Sequence, residues 1–300
     1  MCCGRLYQHR GGAGIGAAPG ISVTAEQSSA AMTRIALGVE YDGSHYHGWQ
    51  AQQAGVATIQ AEVERALSQV ADHAVSVACA GRTDTGVHAL GQVIHFDTNA
   101  ERSERGWVYG ANSALPADIA IRWAKPVTKD FHARFGAIAR RYRYVIYNHS
   151  IRPGLYNRQL TWNYRPLDVA RMREALPALR GTHDFTSYRG VHCQAKSPVK
   201  TLHYLEVFQR GRLIVIEAEA NAFLMHMVRN IAGVLMAIGA GKAEPGWAGE
   251  VLAARDRRLG GVTAPPYGLY MVGVRYAESH GLPQEPFGPQ WLPDDLSAWR

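Results

Sequence analysis

Apolar and polar positions alternate in short runs along much of the chain, with a period of two in some places. Residues 35–41 follow this period, which predicts a strand with one buried face. Residues 202–208 and 213–220 follow it on either side of a turn at residues 209–212, so they predict a β-hairpin. A last strand is predicted at residues 271–276.

Other stretches have the period of a helix. From Thr58, a residue type that favours the N-cap, apolar positions recur every three or four residues as far as Val70. Asp168 begins a second predicted helix, which Gly181 ends. A third helix is predicted from residue 221 to residue 240.

The order of these elements predicts an α+β fold with two similar halves, because strand, helix and strands occur once before residue 130 and once after it. The N-terminal half would span residues 32–130 and the C-terminal half residues 131–280. Each half would be a mainly antiparallel sheet with helices packed against it, and a cleft would lie between them. A C-terminal tail is predicted at residues 281–300. Residues 1–31 are rich in Gly, Ala and Ser and predict a disordered extension.

The charge of the chain favours an anionic partner. The formal net charge is +7, and 27 of the 32 basic residues are arginine. A guanidinium binds phosphate in bidentate fashion and stacks on bases, which a lysine ammonium cannot do. The predicted cleft is therefore expected to be basic.

Cysteine usage and hydropathy argue against several classes of protein. The four cysteines form no Cys-x-x-Cys pair, which argues against a zinc ribbon or a disulfide scaffold and favours a reducing, cytoplasmic setting. No run approaches eighteen apolar residues, so we expect no transmembrane helix.

The stretch richest in candidate chemistry is residues 80–89, which sets one carboxylate, Asp84, among glycines, two threonines and an arginine. Glycines permit positive φ and close approach, while the hydroxyls of Thr83 and Thr85 can fix a turn. The simple alternative is a turn in which Asp84 caps backbone N–H groups. Strand-like patterns on both sides favour a displayed functional loop instead.

Two further patterns carry charge. In the strand predicted at residues 140–147, Tyr142 lies on one face while Arg141 and Arg143 lie on the other. Arginines interleaved with aromatic residues suit RNA, although a half-buried tyrosine ladder would give the same pattern. In the third predicted helix, Arg229 points away from the apolar stripe, toward a cleft or simply toward solvent.

The run Gly81-Arg82-Thr83-Asp84, followed by Gly86-Val87-His88-Ala89, resembles the signature of the TruA-type tRNA pseudouridine synthases. Four later stretches resemble further motifs of that family in the same order, and the likeness spans roughly residues 32 to 290. These stretches are Phe131-His132-Ala133-Arg134-Phe135, Arg141-Tyr142-Arg143-Tyr144, His183-Asp184-Phe185-Thr186-Ser187 and Met227-Val228-Arg229-Asn230.

The resemblance implies roles for individual residues. Asp84 would be the nucleophile, Arg229 the cation that keeps it ionised, and Tyr142 the ring that stacks on the target base. Arg82 would contact the flipped nucleotide or its phosphates, and Leu269 would line the base pocket. Arg141 and Arg143 are added as RNA-binding candidates. The family reaction uses no metal and no cofactor.

The resemblance also implies isomerisation of uridine to pseudouridine at positions 38, 39 and 40 of tRNA, in the anticodon stem-loop, by a homodimer that flips the base. Whether the nucleophile attacks C1′ of the sugar or C6 of the base stays open. One alternative is an aspartic protease, since Asp84-Thr85-Gly86 spells its triplet, although only one copy is present. Another is a non-catalytic RNA-binding protein.

Overall fold

The computed structural model describes residues 32–53, 55–283 and 288–299, and within them the chain forms ten strands and five α-helices. The extension predicted at residues 1–31 lies outside the described residues. The strands are β1 (Thr33–Tyr41), β2 (Ala78–Cys79), β3 (His88–Thr98), β4 (Ile119–Val127), β5 (Ala139–Asn148), β6 (Thr161–Asn163), β7 (Gly181–Asp184), β8 (Val199–Arg210), β9 (Leu213–Ala220) and β10 (Leu269–Arg275). The helices are α1 (Ile59–Ala71), α2 (Glu104–Ala114), α3 (Val169–Glu174), α4 (Met227–Gly239) and α5 (Trp247–Ala254).

One sheet contains all ten strands. Its order is β4-β1-β3-β10-β5-β9-β8-β7, with β2 paired to β3 and β6 paired to β5. The pairs β10–β3 and β5–β6 are parallel, and the remaining pairs among the described residues are antiparallel. The α+β fold with a mainly antiparallel sheet is thereby confirmed.

The last strand joins the two parts of the sheet. β10 pairs with β3 through Tyr270 and Met271 on one side and with β5 on the other. The boundary predicted near residue 130 falls in the connection between β4 and β5. The division into two halves stays a prediction, because the sheet runs through both parts without a break.

The two faces of the sheet carry different cores. The larger core packs the helices on one face, and the side chains of Tyr142, Tyr144 and Ile146 point into it. Val145 points into a smaller core on the opposite face, where the C-terminal segment packs. The members that this segment contributes are Leu292, Leu296 and Trp299. Residues 288–299 therefore cover the back of the central strands.

Two helices differ from the prediction in their ends. The helix that begins after the Asp168 cap stops at Glu174, because Pro177 has no N–H to continue the hydrogen-bond ladder. The helix predicted from residue 221 begins only at Met227. The residue before it, His226, has left-handed backbone angles, which a right-handed helix cannot include. No helix in the described part of the chain is long and apolar enough to cross a membrane.

Candidate active site

The loop that carries Asp84, residues 80–87, connects β2 to β3 and is anchored by hydrogen bonds on both sides. The Gln92 side chain donates from Nε2 to the Gly81 carbonyl at 2.6 Å. The Trp49 backbone N–H donates to the Thr83 carbonyl at 3.0 Å. These contacts come from two different segments, so the backbone around Asp84 is held in place.

A glycine in this loop is required by its backbone angles. Gly86 has a φ of +77°, and an added Cβ would lie 3.1 Å from both Pro266 and Tyr267. The sequence prediction of a loop that depends on glycine is confirmed at this position.

Asp84 contacts two basic side chains, one from the first turn of α4 and one from the residue that precedes this helix. Arg229 donates from Nη1 to Asp84 Oδ2 at 3.0 Å, although 145 positions separate the two residues in the chain. His226 Nε2 lies 3.4 Å from the same oxygen. The Asp84 side chain is 27% exposed and that of Arg229 13%, so the ion pair is partly withdrawn from water. The guanidinium is itself held by a hydrogen bond from Nε to the Ala264 carbonyl at 2.9 Å.

A small pocket of about 100 Å³ opens beside Asp84. Tyr142 and Phe223 form an aromatic corner in it, with ring centroids 5.0 Å apart and an interplanar angle of 82°. Burial is the main cause that raises the pKa of the Tyr142 phenol, and the nearby Asp84 carboxylate adds to it, so the hydroxyl keeps its proton at neutral pH. The remaining lining residues are Arg82, Thr83, Val87, Leu224, Met225, His226, Met227, Val228 and Leu269.

 Arg82 and Leu269 both line the pocket but differ in exposure. Leu269 is buried, with 6% of its surface exposed. Arg82 is exposed at the rim, and within the described residues no hydrogen bond or ion pair occupies its guanidinium. The structure thus brings four predicted residues to one pocket, and a fifth, Arg229, donates a hydrogen bond to one of them, Asp84. The four that line the pocket are Arg82, Asp84, Tyr142 and Leu269.

Arg141 and Arg143 are not brought to this pocket, because they lie on the face of β5 opposite Tyr142. Arg141 pairs with Glu217 and lies over the Tyr204 ring. Arg143 is fully buried and donates to Glu217 and to carbonyls of the C-terminal segment. A guanidinium in that position has no surface to offer a phosphate, so the sequence prediction for Arg143 is corrected: its contacts are structural.

Sequence reasoning missed Arg140, which joins the segments around the site. Its buried guanidinium donates to the Ala80 carbonyl at 3.0 Å, at the start of the Asp84 loop. It also donates to the Asn221 carbonyl at 2.9 Å, where the chain leaves β9 toward α4, and to the Arg134 carbonyl at 2.6 Å. Burial lowers the pKa of this guanidinium. One side chain therefore ties together the two segments that supply Asp84 and Arg229.

Comparison with known proteins gives a consistent result. The chain matches the family model described as tRNA pseudouridine synthase over residues 38–136 and 175–277. The chain belongs to the tRNA pseudouridine synthase family. Members of this family are enzymes that isomerise uridine to pseudouridine.

Three curated relatives of the family are similar to nearly the whole chain. tRNA pseudouridine synthase A of Alcanivorax borkumensis is 64% identical over 267 residues, which cover 89% of this chain and 100% of the relative. The Pseudomonas aeruginosa protein of the same name is 60% identical over 268 residues, covering 89% of this chain and 94% of the relative. The Coxiella burnetii (strain Dugway 5J108-111) protein, also of that name, is 58% identical over 262 residues, covering 87% and 100%.

His226 and Phe223 line the pocket, and sequence reasoning missed both. A signal was present for His226, since it precedes Arg229 by three positions and would share its side of the helix predicted from residue 221. Phe223 had no such signal, because its contact with Tyr142 depends on how the segment between β9 and α4 folds back on β5.

Proposed function

We propose that this protein isomerises uridine to pseudouridine at positions 38, 39 and 40 of tRNA, with Asp84 as the nucleophile. The observation that carries the proposal is the Asp84 carboxylate, which borders an open pocket with aromatic and apolar walls and is bonded to Arg229 at 3.0 Å. Membership of the family supports the reaction, and the pocket supports the assignment of residues.

The reaction replaces the N1–C1′ bond of uridine with a C5–C1′ bond. Because the product is an isomer of the substrate, no oxidant or reductant is needed. The Asp84 carboxylate forms a bond to C1′ as the N1–C1′ bond breaks and its electron pair stays with uracil, or it adds to C6 of the base before that bond breaks. The base turns, C5 bonds to C1′, and the carboxylate is released. C5 loses a proton and N1 gains one, so atoms and charges balance. The hydrogen bond from Arg229 Nη1 to Oδ2 holds the carboxylate in place beside the pocket for either route.

Tyr142 and Phe223 are proposed to hold the extruded base. The pocket volume of about 100 Å³ leaves no room for a paired and stacked nucleotide, which supports the proposal that the target uridine leaves its stack to reach Asp84. Phe223 packs against Tyr142 in a T-shaped arrangement, and only 8% of Tyr142 is exposed. Base contact is therefore expected from both rings together, with Leu269 as an apolar part of the pocket lining.

The direct test uses purified protein and unmodified tRNA transcript, with pseudouridine mapped by carbodiimide-dependent stops of reverse transcription. Stops at positions 38, 39 and 40 are expected. Pseudouridine elsewhere would refute the proposed positions but keep the reaction. tRNA binding without pseudouridine would instead support the non-catalytic RNA-binding alternative.

The protease alternative receives no support from the contacts of Asp84. An aspartic protease pairs two carboxylates that share a proton. Within the described residues, the groups that pair with Asp84 are Arg229 and His226, not a second carboxylate. A casein digestion assay at acidic pH checks this alternative, and no cleavage is expected.

The protein is further proposed to act in the cytoplasm as a homodimer that binds tRNA through basic side chains near the pocket. The relatives are named for tRNA, and the net charge of +7 suits a polyanion. Light scattering of the purified protein would measure the mass, for which about twice the 32.9 kDa of one chain is expected.

Binding of tRNA is expected to weaken steeply with salt, because arginine–phosphate contacts release condensed counterions. Between about 50 and 200 mM salt, Kd should rise by more than about tenfold if several phosphates are contacted. Filter binding or fluorescence anisotropy at a series of salt concentrations measures the slope. A Kd that does not change with salt would contradict binding led by phosphate contacts.

Arg82→Gln is expected to reduce that salt slope by about one, because the exposed Arg82 guanidinium at the pocket rim is proposed to contact phosphate. Arg105→Gln provides a matched control, since Arg105 is also exposed but lies on α2 over the Tyr109 ring. Equal slopes for Arg82→Gln and the wild type would remove Arg82 from the phosphate-binding residues.

A further inference from the structure

His226 stands out because its backbone is unfavourable for its residue type. It has a φ of +61°, in the left-handed region that glycine adopts at little cost and other residues adopt rarely. It occupies the N-cap position of α4, yet its side chain makes no capping hydrogen bond there. Unfavourable backbone angles of this kind tend to persist where the side chain serves a site.

The side chain instead reaches Asp84. His226 Nε2 is 3.4 Å from Asp84 Oδ2, the same oxygen that accepts the hydrogen bond from Arg229 Nη1 at 3.0 Å. The other edge of the imidazole lies against Gly190, where an added Cβ would come within 3.0 Å of Nδ1. The ring is thus confined between the Gly190 backbone and the Asp84 carboxylate.

We infer that His226 is a positioning residue which, together with Arg229, holds Oδ2 of Asp84 and leaves Oδ1 as the oxygen that forms the bond to the substrate. Within the described residues no hydrogen bond is directed at Oδ1. A carboxylate held at one oxygen by a residue of α4 and by the residue that precedes this helix has its plane fixed, which favours attack by the other oxygen. This inference rests on the proposed role of Asp84.

The neutral form of His226 suits this role. Burial is the main cause that lowers the pKa of the imidazole, and the charges of Arg229 and Arg257 add to it, while Asp84 opposes them. A lowered pKa favours the neutral ring, which can carry its one proton on Nε2, the nitrogen that faces Oδ2. At pH below this lowered pKa an imidazolium forms, and this second cation on Oδ2 would draw charge away from the nucleophile.

The test compares three substitutions in the full-length protein. Asn tolerates the left-handed backbone but is too short to place an N–H where Nε2 lies, and Gly removes the side chain while suiting the backbone. His226→Asn and His226→Gly are expected to lower kcat by about 10- to 100-fold with KM for tRNA within about twofold of wild type. His226→Gln, whose amide can reach Oδ2, is expected to recover much of the loss and to remove the fall of kcat that protonation of His226 causes at acidic pH.

A matched control separates the backbone from the side chain. Asp72 is exposed at the end of α1 and also has a left-handed φ, of +59°. Asp72→Gly relieves the same kind of backbone angle and is expected to leave kcat and its pH profile unchanged. Wild-type kcat in both His226→Asn and His226→Gly would overturn the inference.

A second measurement does not depend on turnover. Titration of the imidazole by ¹⁵N NMR is expected to show a lower midpoint for His226 in Asp84→Asn than in the wild type, because the Asp84 carboxylate raises that pKa. If the wild-type protein forms no pseudouridine, the proposed function fails, and this titration still decides whether His226 and Asp84 interact. An unchanged midpoint would overturn the pairing.

Discussion

We expect Asp84→Asn to abolish pseudouridine formation while leaving the affinity for tRNA close to that of the wild type. The amide is almost the same size as the carboxylate and can still accept the hydrogen bond from Arg229, so the loop keeps its shape. It cannot act as the nucleophile, and loss of a nucleophile typically costs about 10⁴-fold or more in kcat. Single-turnover assays with tRNA transcript measure the rate, and anisotropy measures the binding.

Asp72→Asn is the control for this experiment, because it removes one carboxylate charge at an exposed position at the end of α1. Its kcat should equal that of the wild type. Turnover by Asp84→Asn within about tenfold of the wild type would contradict the mechanism. Loss of both turnover and binding would instead indicate that the loop, and not the chemistry, was damaged.

The second large effect is expected on stability. Arg143→Met should lower the free energy of unfolding by about 3–5 kcal/mol, because it leaves a buried charge without one of its partners. Arg143 is fully buried and donates to Glu217 Oε2 at 2.8 Å, and Glu217 is itself 1% exposed. The same guanidinium donates to the carbonyls of Gly288 at 3.1 Å and Pro293 at 2.9 Å, and to that of Asp294. Urea unfolding followed by circular dichroism measures the change.

Two controls make this result specific. Arg65 pairs with Glu62 on the surface of α1, and Arg65→Met should cost no more than about 1 kcal/mol. Adding Glu217→Leu to Arg143→Met should recover part of the loss, because an apolar pair in a buried site is less costly than a buried carboxylate that has lost one of its two guanidinium partners. A cost below about 1 kcal/mol for Arg143→Met alone would show that the buried network does not hold the C-terminal segment on the sheet.

The sequence predicted the local parts of this protein well. The N-caps Thr58 and Asp168 are present, with side chains that accept from backbone N–H groups of α1 and α3. Alternation in β5 placed Tyr142 and Arg143 on opposite faces, as the structure has them. These predictions depend on the spacing of apolar residues and on contacts between residues a few positions apart. Both can be recognised in a single sequence.

The early start predicted for α4 illustrates where local pattern misleads. Apolar positions from residue 224 onward fit a helix, and Leu224 is indeed buried. The chain does not continue as a helix there, because His226 adopts a left-handed conformation beside Gly190 and Asp84. Contacts with segments distant in sequence outweigh the local preference at this point.

What the sequence determined by itself is the set of elements and the residues that carry chemistry, since periodicity, caps and motif composition are properties of neighbouring positions. Only the tertiary structure decided which of them meet. It joined Asp84 to Arg229 across 145 positions, inserted β10 between β3 and β5, and placed Arg143 under the C-terminal segment instead of at the pocket. The physical reason is that strand order and the packing of the two sheet faces depend on burial summed over the whole chain, which no short stretch of residues specifies.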